Sequence, residues 1–275
     1  MPELPEVETI VRSLAEGQGA GTSLLGRRVT RARVAWERTV AAPSAAAFVR
    51  RIRGQRVERA GRRGKFIVIT LDQDALLFHL RMSGDLRLGF TQHLGEAQPH
   101  SRLQLHFDNG LQLSFQDPRK FGRAWLVAEP ETVLGGLGPE PLGGLTPRRF
   151  HAMLAARNRQ LKPLLLDQTF LAGLGNIYAD EALWAARLHP LKPAHSVTKQ
   201  EATKLLAGIR KVLREGIRRN GASIDWVYRG GDFQNYFNVY QRTDEPCLRC
   251  GTPISRTVVG QRGTHFCRKC QKPSK

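Results

Sequence analysis

The sequence predicts an α+β protein of several domains, with an N-terminal helix plus β-sandwich, a C-terminal helical domain and a small β-hairpin framed by cysteines. Three observations predict it. The hydrophobic period changes from strand-like to helical near residue 128. Between the two regimes, residues 129–147 hold five glycines and four prolines, the composition of a linker. All four cysteines then fall near the end of the chain as two C-x-x-C pairs. A length of 275 residues suits two domains with an appendage and leaves enough chain to bury real cores.

Taken in order, Val7, Ile10, Val11 and Leu14 recur at helical spacing after Pro5, and Gly17 ends the run. Residues 5–16 are therefore predicted as one amphipathic helix. Short runs at 29–36, 66–71, 75–82, 85–90, 103–107, 111–115 and 123–127 read as strands, several alternating, with a hairpin turn at Asp108-Asn109-Gly110. Seven short strands with frequent turns predict a sandwich. Beyond the linker, 147–157, 161–167, 176–187 and 198–220 show the helical period. The boundaries implied are 2–128, a linker at 129–147, a helical domain at 148–241 and a terminal module at 242–275, with no internal repeat.

In that module Cys247 and Cys250 form one knuckle, Cys267 and Cys270 the other, with 16 residues between them. Four thiolates so spaced reach the corners of a tetrahedron, the geometry of one structural Zn(II) ion. Disulfide pairing is the other reading, and a reducing cytosol disfavours it. Thr257-Val258-Val259 and Thr264-His265-Phe266 flank Gly260-Gln261-Arg262-Gly263, which predicts a hairpin with Arg262 at its tip.

Lys plus Arg number 43 against 24 Asp plus Glu, a formal charge of +19 that points to a polyanionic partner. The excess is concentrated at 27–65, with 13 basic residues against Glu37 and Glu58. Arg outnumbers Lys 33 to 10 in a chain rich in Ala and Gly. GC-rich coding accounts for that preference, but not for bases over acids. No window holds 18 consecutive apolar residues, and Glu3 and Glu6 stand where a signal peptide needs cations. A cytoplasmic, nucleoid-associated monomer with no membrane segment is expected.

Six motifs then stand in register: Pro2-Glu3-Leu4-Pro5-Glu6, Gly64-Lys65-Phe66, His79-Leu80-Arg81-Met82-Ser83-Gly84, Asp117-Pro118-Arg119-Lys120-Phe121-Gly122, Gly173-Leu174-Gly175-Asn176-Ile177-Tyr178, and the cysteine knuckles. Together, from residue 2 to residue 271, they resemble the formamidopyrimidine-DNA glycosylase family. The resemblance implies a bifunctional glycosylase and abasic-site lyase that excises oxidised purines from damaged double-stranded DNA and cleaves the strand by β,δ-elimination. It implies a helix-two-turns-helix module in the helical domain.

It also implies roles that the residue chemistry suits. Attack on C1′ with strand scission needs an amine that forms a Schiff base, and an α-amino group, titrating at about 8, is free more often than a Lys. Pro2 fills that role once Met1 is removed, and Glu3 beside it is the general acid and base. Glu6 is carried as a supporting catalytic residue and Lys65 as a catalytic or phosphate-binding one. Excision demands that the base leave the stack, and Met82, Arg119 and Phe121 match the residues that fill the space. His79, Lys162, Asn176 and Arg262 complete the expected DNA contacts, with Arg262 also placed among the catalytic residues.

Two other readings remain. An endonuclease VIII-like enzyme for oxidised pyrimidines typically begins Pro-Glu-Gly-Pro-Glu and lacks the Arg-x-Phe wedge, whereas this chain has Leu4 and Phe121. A non-catalytic zinc-ribbon DNA-binding protein gives no reason for Pro2-Glu3. Lys120 stands where Arg is more usual, and residues 221–238 depart from the family's base-covering loop, so lesion preference is the least determined property. Of the aromatics there, Trp226, Tyr228, Phe233 and Tyr236, most are expected to pack.

Overall fold

In a computed structural model of the chain, residues 1–17, 21–95, 99–223 and 230–273 are described. The chain divides into two compact units, 1–135 with 222–231, and 136–221 with 232–273.

The first unit opens with α1 (Leu4–Glu16), whose buried face is Leu4, Val7, Ile10, Val11 and Leu14. Two sheets follow. One has the order β1 (Val29–Val34), β7 (Ser101–Phe107), β8 (Leu111–Gln116), β6 (Asp85–Phe90). The other has the order β2 (Val40–Ala42), β9 (Arg123–Val127), β5 (Ala75–His79), β4 (Phe66–Leu71), β3 (Val57–Arg63). One apolar core joins them, with Ile67, Ile69, Leu76 and Phe78 from the second sheet and Leu103, Leu105, Leu113 and Phe115 from the first. The rings of Phe78 and Phe115 meet edge to face at 5.3 Å, so the unit is the expected sandwich.

Sequence periodicity overlooks two strands and three helices here. β3 reads Val-Glu-Arg-Ala-Gly-Arg-Arg and lies at a sheet edge, where polar side chains face solvent and leave little alternation. β2 has three residues. α2 (Ala45–Ile52) buries only Phe48 and Ile52, one turn apart, and is capped by Ser44, which accepts from Ala47 N. β5 stops at His79, short of the predicted 82, because Arg81 turns the chain with φ 54°. The short helices α3 (Thr91–Leu94) and α4 (Glu131–Leu134) complete the unit, α4 within the Gly- and Pro-rich stretch.

The second unit holds α5 (Pro147–Ala155), α6 (Leu161–Leu166), α7 (Asn176–Ala186), α8 (Lys199–Arg218) and a hairpin of β10 (Ser255–Val259) with β11 (Arg262–Phe266). Thr198 and Glu201 form a reciprocal capping box at α8, and Thr146 caps α5. α8 packs on α5 and α7. Gly216 permits that approach, since a Cβ there would stand 2.5 Å from the Tyr178 ring. The hairpin turns on Gly260 and Gln261, both with positive φ (55° and 62°), the signature of a two-residue primed turn. Arg262 is thus not at the tip as predicted; it opens β11, paired with Val259.

Candidate functional site

Each unit gathers a group of the predicted residues. In the first, Glu3 is the N-cap of α1 and only 3% exposed. A reciprocal box holds it: its side chain accepts from Glu6 N, and Glu3 N donates to Glu6 Oε2 at 2.7 Å. Glu6 Oε1 in turn accepts from Ala222 N at 2.8 Å. The Glu6 carboxylate therefore ties the α1 terminus to Ala222. Pro2 precedes the cap and is half-buried.

Lys65 lies in the two-residue turn between β3 and β4, where Gly64 supplies φ 58° and Arg63 pairs with Phe66. Although in a turn, it is 5% exposed. Phe66 also pairs with His79 of β5, ring centroids 4.7 Å apart, which brings the turn and the strand end together. Burial, then the charges of Arg81 and Lys65, push the His79 pKa down to about 3. His79 Nδ1 accepts from Arg81 N at 3.1 Å. The proton of the neutral ring is thereby left on Nε2, and His79 offers a neutral donor rather than a cation.

The wedge residues sit on two turns joined by Asp117, itself 1% exposed. Its carboxylate accepts from Ser83 Oγ in the turn that carries Met82, from Arg119 N at 3.2 Å and from Gly122 N at 2.7 Å. Gly122 is required there, because a Cβ would stand 2.4 Å from the Phe115 ring. Met82 is half-buried, Arg119 exposed and Phe121 49% exposed, with the Arg119 guanidinium 4.9 Å from the Phe121 ring. An exposed phenylalanine on a braced turn is what a stacking filler needs. Asp117 carries one signal of this role in the sequence, an acid directly before Pro in a turn, where side-chain caps on backbone N–H groups are common.

In the second unit the expectation for Lys162 is corrected. It is fully buried: its ammonium donates to Thr264 Oγ1 at 2.8 Å and Gly263 O at 2.9 Å and forms an ion pair with Asp180 Oδ1 at 2.6 Å. With no surface left for a phosphate, Lys162 fixes the hairpin to α6 and α7. Asn176, first residue of α7, contributes to the same anchorage through Nδ2 to Gly263 O at 3.1 Å. The other Asp180 oxygen accepts from His265 N at 2.8 Å. Arg262, immediately before Gly263, stays exposed on this braced strand.

The four cysteine sulfurs lie within 4.8 Å of one another, with Cys250 Sγ 3.5 Å from those of both Cys267 and Cys270. Zn–S bonds of about 2.3 Å in a tetrahedron separate the sulfurs by roughly 3.8 Å, so the set fits one zinc ion and leaves no coordination position open. The role is structural. Glu181 supports the approach to the first knuckle, accepting from the backbone N–H groups of Asn238, Val239 and Tyr240. Of the aromatics in the departing segment, Phe233 is buried and stacked on Tyr178 at 5.2 Å. Tyr236 is 47% exposed, with the Arg219 guanidinium 3.0 Å from its ring centroid. Trp226 and Tyr228 lie outside the described residues.

Comparison with known proteins agrees along the chain. Residues 1–124 match the family model of the formamidopyrimidine-DNA glycosylase N-terminal domain, 137–227 that of the formamidopyrimidine-DNA glycosylase H2TH domain, and 244–273 the zinc finger found in FPG and IleRS. The formamidopyrimidine-DNA glycosylase of Protochlamydia amoebophila is 43% identical over 99% of this chain and 100% of its own. That of a Roseiflexus species is 44% identical over the same shares. A crystal structure of the Lactococcus lactis enzyme in complex with DNA containing FAPY-dG superposes with a TM-score of 0.89 at 33% identity, covering 98% of this chain and all of that one.

Proposed function

The chain belongs to the formamidopyrimidine-DNA glycosylase family, and from that premise we propose how its residues carry the reaction. It is a DNA glycosylase and abasic-site lyase that removes oxidised purines from damaged duplex DNA. With Met1 removed, the secondary amine of Pro2 attacks C1′ of the damaged nucleotide. The new N–C1′ bond forms as the glycosidic bond breaks, and the base leaves as the sugar ring opens. The resulting iminium draws electrons from the sugar, acidifying the proton whose loss starts β-elimination; δ-elimination then frees the second phosphate. Glu3 protonates the opening sugar and takes protons back, and Lys65 and Arg262 neutralise the phosphates beside the lesion.

The observation that carries this reading is the capped α1 terminus. Glu3 is buried and hydrogen-bonded directly beside Pro2, which supports a preorganised acid–base next to the nucleophile. Met82, Arg119 and Phe121 fill the stack vacated by the flipped base, and Asn176 and the neutral Nε2–H of His79 donate to phosphate oxygens. The zinc ion supplies no chemistry; it holds the hairpin that presents Arg262. The enzyme works as a monomer, and its affinity for DNA places it at the nucleoid.

The test is product analysis on duplexes carrying 8-oxoguanine opposite cytosine, beside equivalents carrying thymine glycol. Release of free 8-oxoguanine, with a one-nucleotide gap bearing phosphates at both ends, is expected in preference to thymine glycol release. Preference for thymine glycol would move the chain to the endonuclease VIII-like reading, and binding without base release would remove the enzyme assignment.

A further inference from the structure

We propose that Trp36 and Arg102 form a clamp behind the wedge, holding the 117–122 turn so that Arg119 and Phe121 are presented before DNA binds. The inference rests on the assignment of those two residues as stack fillers. Trp36 belongs to none of the family motifs, and Arg102 lies one strand away from it. After β1 ends, Ala35 N and Trp36 N both donate to Arg102 O, at 2.9 and 3.4 Å. The Arg102 guanidinium reaches the other way, giving Nε to Asp117 O at 2.8 Å and Nη2 to Pro118 O at 3.5 Å. One residue thus links the Trp36 backbone to the start of the wedge turn.

Trp36 closes the link from the far side. The Lys120 ammonium lies 4.2 Å from the Trp36 ring centroid, within cation–π range. Lys120 also takes a left-handed backbone conformation, φ 61°, which L side chains adopt only under a compensating constraint. The turn has no glycine at that position to make the conformation easy. Among its constraints are the Lys120 N–H to Asp117 O bond at 3.3 Å, the Arg123 guanidinium on Lys120 O at 3.3 Å and the indole beneath the ammonium. Lys120 is the middle of Arg119-Lys120-Phe121, and both neighbours of this tethered residue are exposed, the Arg119 guanidinium lying beside the Phe121 ring. Trp36 and Arg102 are positioning residues: neither is proposed to touch the lesion, and both act through the backbone that carries the wedge.

The test compares Trp36→Ala, Trp36→Phe, Lys120→Met and the double variant Trp36→Ala/Lys120→Met. Substrates are an 8-oxoguanine:cytosine duplex and a single-stranded abasic oligonucleotide, which has no partner stack to fill. The clamp predicts that Trp36→Ala and Lys120→Met each lower kcat/KM on the duplex by about fivefold, that the double variant is no worse than the weaker single, and that Trp36→Phe stays near the unmodified enzyme. Borohydride trapping on the single strand should be unchanged in all four. Unchanged duplex activity in Trp36→Ala, multiplying effects in the double variant, or a parallel loss on the single strand would overturn it. Failure of the unmodified protein to trap either substrate would instead overturn the glycosylase reading on which the clamp rests.

Discussion

Lys162 uses its ammonium inside the protein, in two hydrogen bonds and an ion pair, whereas Arg262, a neighbour of the group Lys162 holds, remains exposed. Sequence gives no means of telling such lysines apart, because Lys is rarely buried and the signal for its burial, Asp180, lies in another helix. Lys162→Met leaves Asp180 without its partner and should cost about 3–5 kcal/mol of unfolding free energy, measured in denaturant. Arg262→Ala should leave stability unchanged and weaken damaged and undamaged DNA alike, lowering the salt slope of binding by about 0.9. If Lys162→Met unfolded at the same denaturant concentration as the unmodified chain, the buried ion pair would be wrong. His79 makes a pH prediction. Its pKa falls from 6.5 to about 3 on folding, so the unfolded chain binds the extra proton first as pH drops. The stability that depends on a neutral His79 is present above 6.5 and is lost progressively as pH falls towards 3. His79→Asn keeps an acceptor for Arg81 N and cannot charge, so its thermal midpoint should fall less steeply than that of the unmodified protein between pH 6.5 and pH 4. Parallel profiles would show that the ring titrates normally.

Among the elements, those that bury one clear face were legible in the residues. β4, with alternating burial from Phe66 to Leu71, β6 and β9 occupy the predicted residues, and α1 differs by one. β3 was not legible, since an edge strand rich in Arg carries little hydrophobic pattern, yet its turn positions Lys65. The site was legible as residue types and only partly as geometry. Pro2-Glu3 and the four cysteines were read from adjacency and spacing, but the links from Asp117 to Ser83 and Arg102, and from Asp180 to Lys162, join residues 15 or more apart in sequence. Cys250→Ser removes one of four zinc ligands, so metal content should fall and DNA affinity should fall with it, because the hairpin presenting Arg262 loses its frame. Full zinc content with unchanged affinity would contradict the structural role.

For the molecule as a whole, the +19 charge overstates its contact with DNA. Arg51 pairs with Asp74, Arg62 with Glu8, Arg159 with Asp167 and Arg242 with Glu245, while Arg210 holds the carbonyls of Pro141 and Leu145. These cations belong to the fold. The amine that reacts must itself be uncharged. Composition therefore pointed to the partner, and only the α1 terminus points to the reaction. Sodium borohydride trapping tests that claim most directly, using a chain proven by mass to begin at Pro2 and an 8-oxoguanine:cytosine duplex. The account predicts a stable protein–DNA adduct whose peptide map places the bond on the Pro2 nitrogen. No adduct, or an adduct on a lysine, would contradict it.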